Sequence, residues 1–374
     1  MKTFKKIGYL LVAGIAMSIL LFSCEENPGV ESQEDILPRQ FSVEIPASIS
    51  GETTGGRRIS GGRTEDDVNG NEVYLQLRTF IAVGKEASKL VEGIINGIRI
   101  HKINRVVTMT YISDDDHRTK NLVVTANVEF ENTTWDYLLT VTDADSQSQP
   151  DGGKALQIFW NNSSPIEGVA IIKPYNCDRI KNSKAPEAMF RIDYSERATA
   201  SYDAQMQVQI SGLPLPSPLV DQYAMNTLKM FAGKKGDVVD VFGNSNHPNA
   251  ALFTTQTGFN WAFVASGNEA NDKGVAEVGL PPSNLNSTDR NVLLKEHSIR
   301  NVFTREITAM WPGIDQGLLA QYLSNTAAPG YFNNEGFISG GVSPGADWDA
   351  LAGRLNSMTP YNPKDVSALK LTFK

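Results

Sequence analysis

The chain has 374 residues, 34 Lys and Arg against 42 Asp and Glu, and a formal net charge of −8 at neutral pH. That balance argues against a nucleic-acid partner, because binding a phosphate backbone rests on basic surface. Cys24 and Cys177 are the only cysteines, which rules out a disulfide framework, and the length suffices for two domains or one large domain with an added lobe.

Lys2, Lys5 and Lys6 form a basic start, and Ile7 to Phe22 then carries no charge. This run is short for a spanning helix, which needs about 20 apolar residues, and it has the layout of a signal peptide. It ends in Leu21-Phe22-Ser23-Cys24, which resembles the lipobox of bacterial lipoproteins. The resemblance implies cleavage before Cys24, lipidation of Cys24 and loss of residues 1–23, taking the formal charge from −8 to −11 as three lysines leave. Glu25 and Glu26 follow at once and resemble the acidic export signal of surface lipoproteins of the Bacteroidota. That resemblance implies an outer-membrane location facing the cell surface, with outer-membrane lipid as partner through acylated Cys24. Each buried methylene contributes about 0.8 kcal/mol and a single chain anchors only reversibly, so a multiply acylated cysteine is expected. Cys177, alone in the mature chain, reads as a small buried or half-buried residue rather than a reactive thiol.

Residues 24–40 are polar and read as a tether. "FSVEIPASI" alternates as a strand does, with Pro46 marking an edge or an end. Between residues 50 and 71 there are six glycines and almost nothing to bury, so a mobile loop is expected there, with Arg57, Arg58 and Arg63 open to proteolytic nicking. Val73, Leu77, Phe80, Ile81, Leu90, Val91, Ile94, Ile95 and Ile98 then recur at helical spacing, with Asn71 as N-cap and with Gly84, Gly93 and Gly97 as points where the helix is weakest.

From Arg105 to about Gly212 the apolar period falls to two. "LVVTANVEF" sets Leu122, Val124, Ala126, Val128 and Phe130 on one face, and "WDYLLTVT" follows after a tight turn, so the two read as a hairpin. With Val106 to Ile112 before them and "ALQIFW", "GVAIIK", "MFRIDY" and "AQMQVQI" after them, seven strands are predicted. The expected fold class is β-rich α+β: a domain over residues 41–212 made of the N-terminal helix and an antiparallel meander, a barrel or half-barrel packed against that helix. A smaller mixed region, 213–374, follows a proline-rich connector. Ser217 and Pro218 start a predicted helix there that Gly233 ends. Strands are expected at "DVVDVF", "FNWAFVAS", "GVAEVGL" and the terminal "VSALKLTFK", and helices at "DQGLLAQYL" and "DWDALAGRLNSM".

No residue set names a reaction, and no catalytic residue, cofactor or metal is assigned. "GVSPG" fits a serine-nucleophile pattern at Ser343, yet no histidine follows it and Pro344 removes the oxyanion N–H, so a turn entering a helix is expected. His101, His117, His247 and His297 are scattered beside polar turn residues. Asp143, Asp145 and Asp151 share one loop and form the candidate cation loop, although their spacing departs from that of an EF-hand. Glu129, Asp136 and Asp193 read as outward-facing strand carboxylates. Trp261, Tyr331 and Phe332 are the candidate ligand-stacking aromatics; Trp261 shares a two-residue stripe with Phe259 and Phe263 that reads first as core, while Tyr331 and Phe332 lie in a loop of glycine and asparagine.

These readings lead to a surface-anchored, non-enzymatic binding module for a glycan or another nutrient-derived ligand, or for an outer-membrane protein. The alternatives are a subunit resembling the lipoprotein-derived pilins of the same bacteria, processed at the arginine-containing loop, and a glycan-directed hydrolase.

Overall fold

The computed structural model describes residues 37, 40–51, 70–99, 106–217, 221, 223–252 and 256–374. Cys24, Glu25, Glu26, the tether up to residue 36 and most of the glycine-rich loop lie outside them. Among the described residues two helices come first, α1 (Ala47–Ser50) and α2 (Gly70–Arg99). The meander then starts with β1 (Val107–Ile112), β2 (Thr119–Phe130), β3 (Thr133–Asp143) and β4 (Lys154–Trp160). It continues through β5 (Glu167–Ile172), β6 (Met189–Ser195), β7 (Ala204–Ser211) and β8 (Thr227–Lys235). The last strands are β9 (Val238–Leu252), β10 (Gln256–Asn268), β11 (Lys273–Gly279), β12 (Gly330–Asn333) and β13 (Gly336–Gly340). Short α3 (Pro174–Cys177) lies between β5 and β6. Between β11 and β12 come α4 (Ile299–Met310) and α5 (Gln316–Tyr322), and α6 (Ala346–Arg354) and α7 (Pro363–Ser367) follow β13.

The thirteen strands form one open antiparallel sheet in strict chain order. The sheet curls around α2, whose apolar stripe faces it as the helical spacing requires. Tyr74 stacks on Phe337 with ring centroids 5.1 Å apart, Phe80 meets His247 at 4.4 Å, and the Trp261 indole donates to the Val73 carbonyl. One helix therefore touches β13, β9 and β10. It continues unbroken through Gly84, where a Cβ would come 2.5 Å from the Met230 methyl; the missing side chain lets the helix approach β8. The boundary drawn at residue 213 falls in the β7–β8 connection, across which Ala204 pairs with Lys234, so the two halves share one sheet.

Three local expectations are corrected. Phe41, Val43 and Ile45 alternate into the core, but their segment is not a strand. It lies along α2, with Ser42 Oγ donating to Glu92 and Lys85 donating to the Ile45 carbonyl. The helix predicted to end at Gly233 is replaced by β8, since the alternation of Leu228, Met230 and Ala232 outweighs the proline-serine start signal. The terminal "VSALKLTFK" forms no strand. It lies on the outer face, where Phe373 joins an apolar cluster and the Lys374 N–H donates to the Gln157 side chain instead of to a neighbouring backbone.

A fourth correction bears on function. Leu122 and Val124 face the concave core as predicted, but Val128 and Phe130 do not. They join Trp135, Leu138, Phe159, Val169 and Ile171 on the outer face. Asn127, at φ +54°, rotates the chain so that the hairpin beyond it changes sides. Glu131 and Asn132 then turn with φ of +50° and +62°, the conformation a two-residue hairpin loop needs.

Candidate ligand-binding cleft

Where the β2–β3 hairpin bends away from the sheet, it leaves an open cleft of about 390 Å³ against the β4–β5 connection. Ala126, Asn127, Asp136, Tyr137, Asn162 and Ser163 line it. Register explains the aromatic: Tyr137 pairs with Trp160, and their rings stack at 5.4 Å with planes 27° apart. Trp160 is fully buried and Tyr137 half-buried, so the cleft has an aromatic side chain backed by core. The rim is tied by backbone contacts, the Asn162 N–H donating to Asp136 Oδ2 at 2.8 Å and the Asp136 N–H to Asn161 Oδ1 at 3.3 Å. One aromatic ring, two amides, a hydroxyl and a carboxylate suit a polyhydroxylated ring, which offers an apolar face and directed hydroxyls.

The aromatics singled out in the sequence lie elsewhere, in the core. Trp261 is 1% exposed and Phe332 0%, and Tyr331 is buried against Val264 and Leu351. Tyr331 and Phe332 belong to the β12–β13 hairpin and not to a loop, so all three are corrected from surface candidates to packing residues. The carboxylates also separate. Asp136 lines the cleft, Glu129 sits on the hairpin tip, and Asp193 is engaged by Arg191 on β6.

The aspartate loop holds protein cations. Asp143 is fully buried and accepts from Arg118 at 2.6 and 2.7 Å, from Lys120 at 2.9 Å and from Ser146. Burial pushes its carboxyl upward, but these donors outweigh burial and hold it below the usual carboxylate range. Lys120 completes its set with Asp116 and the Asn176 carbonyl. Asp151 takes Lys173, while Asp145 is exposed, 3.7 Å from Arg118. The candidate cation loop is thus an ion-pair network whose cationic partners are side chains, and among the described residues no three His, Cys, Asp or Glu groups converge to hold a metal.

Sequence reasoning placed His247 beside turn residues, whereas it lies buried in β9 between Phe80 and Trp261. Its Nδ1 lies 2.8 Å from the Tyr223 carbonyl and must donate to it, so Nε2 accepts from the Ser245 hydroxyl at 2.8 Å. Burial lowers the imidazole to about 3. The pair has the spacing of a base and nucleophile, but both residues are 0% exposed, which makes it a core contact. Ser343 occupies the turn entering α6, accepting from the Gly345 N–H. Cys177 is half-buried, and burial pushes its thiol up to about 12, as an inert cysteine requires.

No protein-family model, curated protein or solved structure matches this chain. Among the described residues no helix is long and apolar enough to cross a membrane.

Proposed function

We propose that the protein is a lipid-anchored, outer-membrane binding module that faces the cell surface and holds a sugar or similarly polyhydroxylated ligand without transforming it. The anchor and surface placement rest on Cys24, Glu25 and Glu26. The observation that carries the binding reading is the cleft at the hairpin bend, with Tyr137 backed by Trp160 and bordered by Asn127, Asp136 and Asn162. Asp136 is the single carboxylate among the lining residues, whereas glycosidic cleavage generally uses two, so the hydrolase alternative has less support. The pilin alternative has less support too, because the extended Phe41–Ile45 segment lies under α2 and not along a sheet edge.

One experiment tests anchor and cleft together. Intact cells displaying the wild type are probed with a fluorescent glycan panel, alongside Cys24→Ala and Tyr137→Ala. Cys24→Ala should remove the cell-associated signal, and Tyr137→Ala should weaken binding about tenfold, ~1.4 kcal/mol, while lowering the melting temperature by only about 2–4 °C as the half-buried ring leaves Trp160. Equal binding by Tyr137→Ala would move the ligand out of this cleft.

A further inference from the structure

The cleft is built from the residues at which the hairpin bends. Asn127 and Asp136 line it, and the ladder passes from Ala126–Tyr137 to Val128–Trp135 over them. Beyond this point the tip lies on the outer face, where Val128, Phe130 and Trp135 pack with Phe159, Val169 and Ile171 and the Lys374 ammonium donates to the Glu129 carbonyl. Phe130 stacks on Phe159 at 4.2 Å, nearly parallel. Glu131 receives two hydrogen bonds of 2.6 Å from Arg191. Arg191 also donates to Asp193, so releasing Glu131 leaves the guanidinium paired. The Glu131 side chain is 52% exposed, which places this contact within reach of water and salt. The closed position also leaves a polar group unsatisfied, because the Trp135 indole N–H is buried without a partner.

We propose that residues 128–135 are a flap that turns about Asn127 and Asp136, latched by Glu131 on Arg191, and that cleft occupancy and flap position are coupled. The coupling rests on the binding reading above; the flap does not. When the flap opens, Trp135 and Phe159 become wetted, Arg191 remains on Asp193, and two walls of the cleft move. A ligand bridging Asn127 or Asp136 to Asn162 then favours one position of the flap, and by linkage the flap position changes affinity by the same factor.

The test is acrylamide quenching of Trp135 in the full mature chain, isolated by subtracting a Trp135→Phe variant. Glu131→Gln should raise the quenching constant several-fold, and molar salt should do the same in the wild type. Amide exchange at Leu122 and Val124 should not change, since these residues lie on the sheet side of the bend. Trp135 equally shielded in Glu131→Gln and in high salt, or a tip that exchanges only with global unfolding, would overturn the flap. Methyl glucoside, methyl mannoside and methyl galactoside are then added. A shift in Trp135 quenching in the wild type but not in Tyr137→Ala supports the coupling. If Glu131→Gln opens the tip and a sugar that binds the wild type but not Tyr137→Ala leaves Trp135 quenching unchanged, the coupling falls while the flap and the cleft reading stand.

Discussion

Two buried polar regions of this sheet solve the same problem in opposite ways. Where β2 starts and β3 ends, Lys120 sits between Asp116 and Asp143, with Arg118 and Arg179 beside them, so charge is met by charge. Across β9 and β10, Asn244, Ser245, Asn246, His247 and Asn260 are each at most 4% exposed; Ser245 pairs with His247, and Asn260 with Asn244 and Asn246, all as neutral groups. Both regions meet most of the need of buried polar groups for partners, with Asn244 Oδ1 and Arg179 Nε left without a hydrogen bond. They differ in what acid does to them. The first holds until a carboxylate that its neighbours keep ionised takes a proton, whereas the second is disturbed as soon as an imidazole is driven to charge.

The largest expected effect comes from emptying the centre of the charged region. Lys120→Met leaves two carboxylates buried around an apolar side chain and should cost about 3–5 kcal/mol, as broken buried pairs do. Urea unfolding would measure it, and a loss under about 1 kcal/mol would mean that Arg118 and Arg179 carry the network alone.

The next effect belongs to the neutral region. The folded protein holds His247 at about 3 against an ordinary value of 6.5, so the unfolded chain binds the extra proton between those limits. Its contribution is fully present above pH 6.5 and is lost as pH falls toward 3, with a slope of up to ~1.4 kcal/mol per pH unit. His247→Gln should lower the pH slope of unfolding stability in that window by one proton. An unchanged slope would show that the imidazole is already protonated in the fold.

The smallest effect lies at the rim of the charged region, where Lys181 and Asp115 are 3.4 Å apart and the lysine is 41% exposed. Lys181→Ala should cost no more than about 1 kcal/mol, and the cost should vanish in high salt. A larger loss would mean that the network's rim is as tightly coupled as its centre.

The parts of this molecule that repeat were legible in its sequence. Alternation located β1 to β7, β9, β10 and β11, and the helical stripe located α2. Single-residue geometry was not legible. Nothing in the string "TANVEF" announces that Asn127 takes a positive φ, so the hairpin was continued on one face and the bend that makes the cleft was missed. The cleft itself joins β2, β3 and the β4–β5 connection, and such a juxtaposition leaves no spacing to read. The aspartate loops drew notice for a cation. The cations were there in the sequence, as Arg118, Lys120, Lys173 and Arg179, but only the fold brings them to the carboxylates. Tyr331 and Phe332 show the converse error, since an aromatic beside glycine and asparagine looks exposed until its strand partners are known, whereas the two-residue stripe of Phe259, Trp261 and Phe263 read as the core it is.

The strict strand order carries a consequence for how the chain is made. Each strand hydrogen-bonds to its neighbour in sequence, so the ladder can grow strand by strand as residues emerge, with little loop entropy at the steps before the long β11–β12 connection. The helix cannot keep that schedule. Tyr74 is synthesised early and finds Phe332 and Phe337 only when almost the whole chain is available. Until then the Gly84 part of the stripe can shelter on β8 but the Tyr74 end cannot, so the nascent protein passes through a stage in which a growing sheet coexists with a half-housed helix.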